Sequence, residues 1–225
     1  MRFGIAAVET WKQEGLEKAL AVTEKISNDE LKEIVISAIR YKNGSSALTK
    51  EGPDKALEQA RAIKLPMFRV WLFRTVAHAL RTAGRSEQSE AIQEELLMWL
   101  ESSEKSPRIV AGLFAYLDNT DNVNTEQKFT ALNTLGIVLN KVSLEPSPNL
   151  FPQEIYWHPL FHNYEKSVSA LVRADFERTL ETARNIFDKE ARLTMQTAVC
   201  AEYLRQTPGN KNTDQTPRKA DTARQ

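Results

Sequence analysis

His158 and His162 stand four residues apart, with Glu154 and Glu165 close by. Two imidazoles at that spacing share one face of a helix, and a neighbouring carboxylate completes a ligand set suited to zinc or iron. His158, His162 and Glu165 are therefore the candidate metal ligands. Pro159 falls between the histidines, which places His158 before the helix or in its first turn, and the pair lacks the Glu of a His-Glu-x-x-His hydrolase. Packing of an aromatic-rich segment onto its neighbours accounts for the pair without a metal. A metal-binding protein or enzyme centred here is the alternative.

A second set is basic. Arg74, His78, Arg81 and Arg85 recur at i, i+4, i+7 and i+11, the spacing of one helix stripe. Such a stripe can hold an acidic peptide or a carboxylate through charge-assisted hydrogen bonds. The competing account is a solvated face whose charges are answered by Glu87, Glu90 or Glu94. Cys200, the single cysteine, falls with Ala191, Thr194, Met195 and Ala198 on an apolar stripe, so it is expected to be a small core residue. A nucleophilic thiol needs a neighbouring base that the sequence does not identify. The sequence has no Gly-rich phosphate loop, no Gly-x-Ser-x-Gly elbow and no Asp pair at metal spacing. The reading is non-enzymatic and without a cofactor.

Helices must position these groups. Only eight Gly occur in 225 residues, and no run alternates as a strand does. Leu31, Ile34, Val35, Ala38 and Ile39 form an amphipathic stripe behind a capping-box signature at Ser27 and Glu30. Pro107 after Ser106 starts another helix, and Thr125 is the expected cap of a third that carries Phe129, Leu132, Gly136 and Leu139. Helices are predicted near 2–13, 15–26, 28–42, 53–63, 66–83, 86–103, 107–118, 125–142, 160–173, 175–187 and 189–206.

The chain also matches itself. Gly15-Leu16-Glu17-Lys18-Ala19-Leu20 with Thr23 and Ile26 aligns with Gly52-Pro53-Asp54-Lys55-Ala56-Leu57 with Ala60 and Ile63. Asp175-Phe176-Glu177-Arg178-Thr179-Leu180 with Ala183 and Ile186 is a third copy. Six residues past each Ile stands a base (Lys32, Arg69, Arg192), and twelve past it a small residue (Ala38, Thr75, Ala198). The starts at 15, 52 and 175 are separated by one unit and by about three more units of roughly 40 residues. Each unit reads as a helical hairpin that hides its second face only by stacking on the next. The recurring bases are expected to bond the last carbonyls of the preceding helix. Trp11, Trp71 and Trp99 are expected in the joints between hairpins. Asn133 and Asn140, seven apart, are polar-face residues able to hold a peptide backbone.

On these Ala-Leu-x-x-small-x-x-Ile segments the chain, over residues 2–206, resembles the tetratricopeptide and HEAT class of helical repeat proteins, and bacterial proteins with degenerate repeats of this type. Its spacing exceeds the tetratricopeptide period of roughly 34, and the Trp-x-x-Leu-Gly signature is missing. The resemblance implies a right-handed αα-hairpin superhelix of about five hairpins. It implies an interaction scaffold that presents a concave surface to another protein or peptide.

The expected organisation is a helical array over 1–142, a Pro-rich connection over 143–159 and further hairpins of the same domain over 160–206. The connection holds Pro146, Pro148, Pro152 and Pro159, and its Phe151, Tyr156 and Trp157 are expected to lie on the helices. Residues 207–225 offer almost nothing apolar and are expected to form a disordered tail. Thirty Lys plus Arg balance thirty Asp plus Glu, which removes the electrostatic drive toward nucleic acid or anionic lipid. No apolar run approaches the ~20 residues of a membrane span, and a cytoplasmic location is expected. Residues 2–13 read as a first helix (Phe3, Ala6, Ala7, Val8, Trp11) with no polar cap ahead of it. That suggests a chain extending upstream, a removed secretion signal, or a structural domain of a larger protein.

Overall fold

Local chemistry sets where the helices begin and end. Asn28 accepts a hydrogen bond from the Leu31 amide at 2.7 Å, and Asn124 accepts one from the Gln127 amide at 2.8 Å. The caps are thus Asn28 and Asn124, each one residue from the expected Ser27 and Thr125; an amide oxygen serves the free N–H groups as well as a hydroxyl does. Gly15 and Gly52 precede two of the matched segments with φ of 91° and 103°, a backbone that a Cβ disfavours. In the third segment Asp175 takes an extended backbone and caps through its side chain, which accepts from the Arg178 amide at 2.9 Å.

The computed structural model describes residues 2–118, 124–142, 164, 167–187 and 189–207, and all regular structure among them is helical. In order these are α1 (Arg2–Glu14), α2 (Leu16–Thr23), α3 (Asp29–Lys50), α4 (Pro53–Arg61), α5 (Pro66–Thr82) and α6 (Ser86–Ser102). Then come α7 (Pro107–Leu117), α8 (Thr125–Leu139), α9 (167–174), α10 (Phe176–Arg184) and α11 (Lys189–Gln206). The Pro-rich connection over 143–159 and the tail beyond Thr207 lie outside the described residues.

α3 departs furthest from its predicted length. α3 was expected to stop near 42, ahead of Asn43-Gly44-Ser45-Ser46, yet it continues to Lys50. A Cβ on Gly44 would stand 2.3 Å from Leu72 Cδ2, so glycine is what lets α3 lie against α5. Packing outweighs the roughly 1 kcal/mol that a helical glycine costs. Gly112 in α7 meets α5 from the other side, where a Cβ would stand 2.6 Å from Pro66 Cβ. α5 is thus held between two helices that both approach it closely.

Among the described helices other than α9, packing is on the next helix in the chain or the next but one. α1, α3, α5 and α7 form one layer, each touching its successor in the layer; α6, α8 and α10 form a second. Between them runs a core from Ala56 to Val199 that includes Leu72, Phe73, Leu100, Tyr116 and Phe129. A separate small cluster of Ala7, Ala19 and Ile39 joins α1, α2 and α3. The matched positions share one setting. Ala19, Ala56 and Thr179 are fully buried, as are Thr23, Ala60 and Ala183, and Ile26, Ile63 and Ile186 are buried too.

Candidate functional site

The α5 stripe is divided by its surroundings. Arg74 is half-buried and leans onto α7, where Nη1 donates to the Ala115 carbonyl at 3.3 Å and lies 4.0 Å from Asp118 Oδ2. α7 therefore answers Arg74, and Glu87, Glu90 and Glu94 do not. His78 is exposed and Arg81 half-buried. Arg85 lies beyond the helix. Gly84, with φ of 76°, turns the chain after Ala83, while the Arg85 amide donates to the Leu80 carbonyl at 2.9 Å. The spacing that put Arg85 in line with the other three holds only while the helix continues.

The exposed line of α5 is instead Met67, Trp71, Thr75, His78 and Thr82. Its first turns carry an aromatic group with α3: Tyr41 lies 6.1 Å from both Phe68 and Trp71, which are 5.4 Å apart, ring centre to ring centre. Trp71 was expected to fill a joint and is 36% exposed, packed against Tyr41 and Phe68 with part of its ring at the surface. Trp11 does bridge α1 to α3, its Nε1 donating to Asn43 Oδ1 at 3.2 Å. Trp99 carries the Arg69 guanidinium 4.1 Å above its ring.

The recurring bases tie hairpins together. Arg69 Nη1 donates to the carbonyls of Arg61 (3.0 Å) and Ile63 (3.4 Å), and Arg192 Nη1 donates to that of Ile186 (3.4 Å). Lys32 reaches the Glu24 carboxylate instead of a carbonyl. Burial lowers the Arg69 pKa, as expected of a cation between aromatic rings and backbone. Asn133 Oδ1 accepts from Thr182 at 3.1 Å. Asn140 donates to the Asn185 carbonyl at 2.9 Å and accepts from the Phe187 amide at 2.7 Å. The peptide backbone that Asn140 holds is the chain's own turn between α10 and α11.

Cys200 is exposed, contrary to the expected core setting. Ala198 and Val199 take the inward positions of α11, and the next residue is turned about 100° away from them. Two residues on, Glu202, 8% exposed, gathers donors from three residues. Ser169 (2.8 Å) and Gln206 (2.6 Å) donate to Oε1, and Arg205 (3.1 Å) donates to Oε2. Burial raises its pKa, but those hydrogen bonds outweigh burial and the carboxyl sits below its ordinary value. Val172, Arg173, Tyr203, Gln206 and Thr207 line a groove of about 610 Å³ next to this network.

One constellation escaped the sequence reading. Arg108, in the first turn of α7, holds Glu33 (2.7 Å) through Nη1 and Glu30 (3.0 Å) through Nη2. Both carboxylates belong to α3, a helix that α7 does not otherwise pack on. The available signal was a cation at the wrong end of a helix, since an N-terminal turn favours acids and α7 has none there.

The metal candidates His158, His162 and Glu165, with Glu154, lie outside the described residues. Among the described residues no three His, Cys, Asp or Glu side chains are grouped to hold a metal ion. No helix among them is long and apolar enough to cross a membrane. No family model, curated protein or solved structure matches the chain.

Proposed function

We propose that the chain is a helical-repeat scaffold without catalytic activity, a right-handed stack of αα-hairpins that binds another protein or peptide on the layer of α1, α3, α5 and α7. The observation that carries this reading is the packing order. Helices that, α9 apart, pack only on the next one or two along the chain are what a stacked array requires, whereas a bundle closed on itself would also pack distant helices together; what reaches from α7 to α3 is the long Arg108 side chain. Close approach at Gly44 and Gly112 favours the α5 layer as the inner, concave one. On that layer the exposed line of Met67, Trp71, Thr75 and His78 offers aromatic and apolar contact beside a basic edge. An extended peptide with an apolar side chain followed by a carboxylate fits it.

The test is a photo-crosslinking residue placed at Thr75 and, separately, at Glu58 on α4, both exposed. In the native cell Thr75 should give a discrete cross-linked species that Trp71→Ala and His78→Glu remove, while Glu58 gives none. Equal labelling from both positions refutes the assignment of the face. Arg81→Glu tests the basic edge. Arg74→Glu does not test it cleanly, because it also breaks the tie to Ala115.

A further inference from the structure

The geometry points to Arg108, Glu30 and Glu33 as an ionic brace that fixes how far α3 and α7 splay apart across the start of α5. α3, α5 and α7 run the same way in their layer, and two contacts give their register. Tyr41, the thirteenth residue of α3, lies 6.1 Å from both Phe68 and Trp71, the third and sixth of α5. Gly112, the sixth residue of α7, packs on Pro66, the first of α5. At 1.5 Å per residue, α3 overshoots the start of α5 by about 10–15 Å and α7 by about 8 Å. Past that point α5 no longer separates its neighbours, and the Arg108 side chain spans the gap with both arms of its guanidinium engaged.

Position argues for purpose. A cation in the first turn of a helix opposes the helix dipole, whereas Glu30 in the first turn of α3 is favoured by it. Arg108 is compensated only by reaching the other helix. All three side chains keep 31–41% of their surface, so the pairs add little to stability and remain open to competing charge. What they determine is a distance. The Tyr41, Phe68 and Trp71 rings stand on α3 and α5 just inside the brace, so its release widens the surface they form. This inference holds whether or not that surface takes a peptide.

The experiment measures the α3–α7 separation directly. Spin labels at Asp29→Cys on α3 and Ala111→Cys on α7, both exposed sites, are placed in a Cys200→Ser background. Arg108→Ala should lengthen and broaden the label distance by about 2 Å or more, the scale of helix shifts at an interface. Helix content should not change. Glu30→Gln with Glu33→Gln, which keeps side-chain shape, should do the same from the α3 side. Arg108→Glu combined with Glu30→Arg and Glu33→Arg should restore the parent distance. An unchanged distance in either neutralising set overturns the brace. So does equal lengthening in Arg178→Ala, which removes the separate Arg178–Glu126 pair. If Arg108→Ala does not fold, the Gln pair alone decides.

Discussion

The two hydrophobic clusters solve the same packing problem with different material. Around α5 to α8 the core is built of large side chains: Phe73, Leu100, Leu113, Tyr116 and Phe129 are all buried, and α8 is covered on nearly every face. Around α1 to α3 the enclosed apolar residues of the cluster are Ala7, Ala19 and Ile39, with Val8, Trp11, Leu16, Val22 and Val35 only half-covered. Burial scales with apolar area, so the second region has much less holding it to the rest. Helical hairpins of similar outline can therefore differ widely in local stability. The α1–α2 end should open without disturbing α5 to α8.

The largest test of that difference is in the larger core. Phe73→Ala removes a ring with no exposed surface, for a cost of about 3–5 kcal/mol. Chemical denaturation should show the whole transition shift to lower denaturant. A loss confined to one end of the molecule would break the view of this region as one cooperative unit. Ile39→Ala is the counterpart, costing about 2–3 kcal/mol. Ile39 is the one large side chain enclosed in its cluster. Amide exchange in α1 and α2 should accelerate while α6 to α8 keep their protection. Uniform acceleration along the chain would mean that the two clusters unfold together.

How much of this was written in the sequence follows from the range of each interaction. Helices were legible because caps, periodicity and prolines act within a turn or two: Pro53, Pro66 and Pro107 each begin a helix in the structure. The extension of α3 through Gly44 was not, since its cause is Leu72 on another helix. Among site residues, Arg69 and Arg192 behave as their recurrence suggested, because each reaches only into the turn just before its own helix. Arg74, Arg85 and Cys200 did not follow the helical wheel. One is claimed by a neighbour, one stands past a glycine turn, and one lies a single residue out of the apolar stripe. The Arg108 brace joins positions 75 residues apart in sequence, and no local pattern marks such a partner.

Polar ties sharpen the comparison between the two ends. Asn43 gives α1 a single bond through Trp11, whereas Asn140 makes two bonds to the α10–α11 turn. Asn140→Ala leaves a carbonyl and an amide without that partner and should cost about 1–2 kcal/mol. Asn43→Ala should cost less than about 1 kcal/mol, because it frees one indole N–H at a half-buried site. Thermal denaturation of the two variants checks the order. The reverse order would mean that the N-terminal end depends on its polar tie more than on its small apolar cluster.

A pH-dependent effect is the most specific to one end. The Glu202 carboxyl is held below its ordinary pKa by donors from Ser169, Gln206 and Arg205 that outweigh its burial. A carboxylate whose folded pKa is depressed stabilises the fold above its unfolded value, near 4.3, and that contribution disappears as pH falls through the lower folded value. α11 should therefore loosen from α9 below about pH 4. Glu202→Gln removes the charge at every pH, so it should lower stability at neutral pH by roughly 1 kcal/mol and flatten this part of the acid response. The difference between parent and variant should shrink from pH 6 toward about pH 3 when followed by amide exchange in α11. Exchange in α1 and α2 should give the same pH dependence in both proteins. If the gap instead stays constant with pH, the three donors serve Glu202 as shape alone, and charge has no part in holding the last helix.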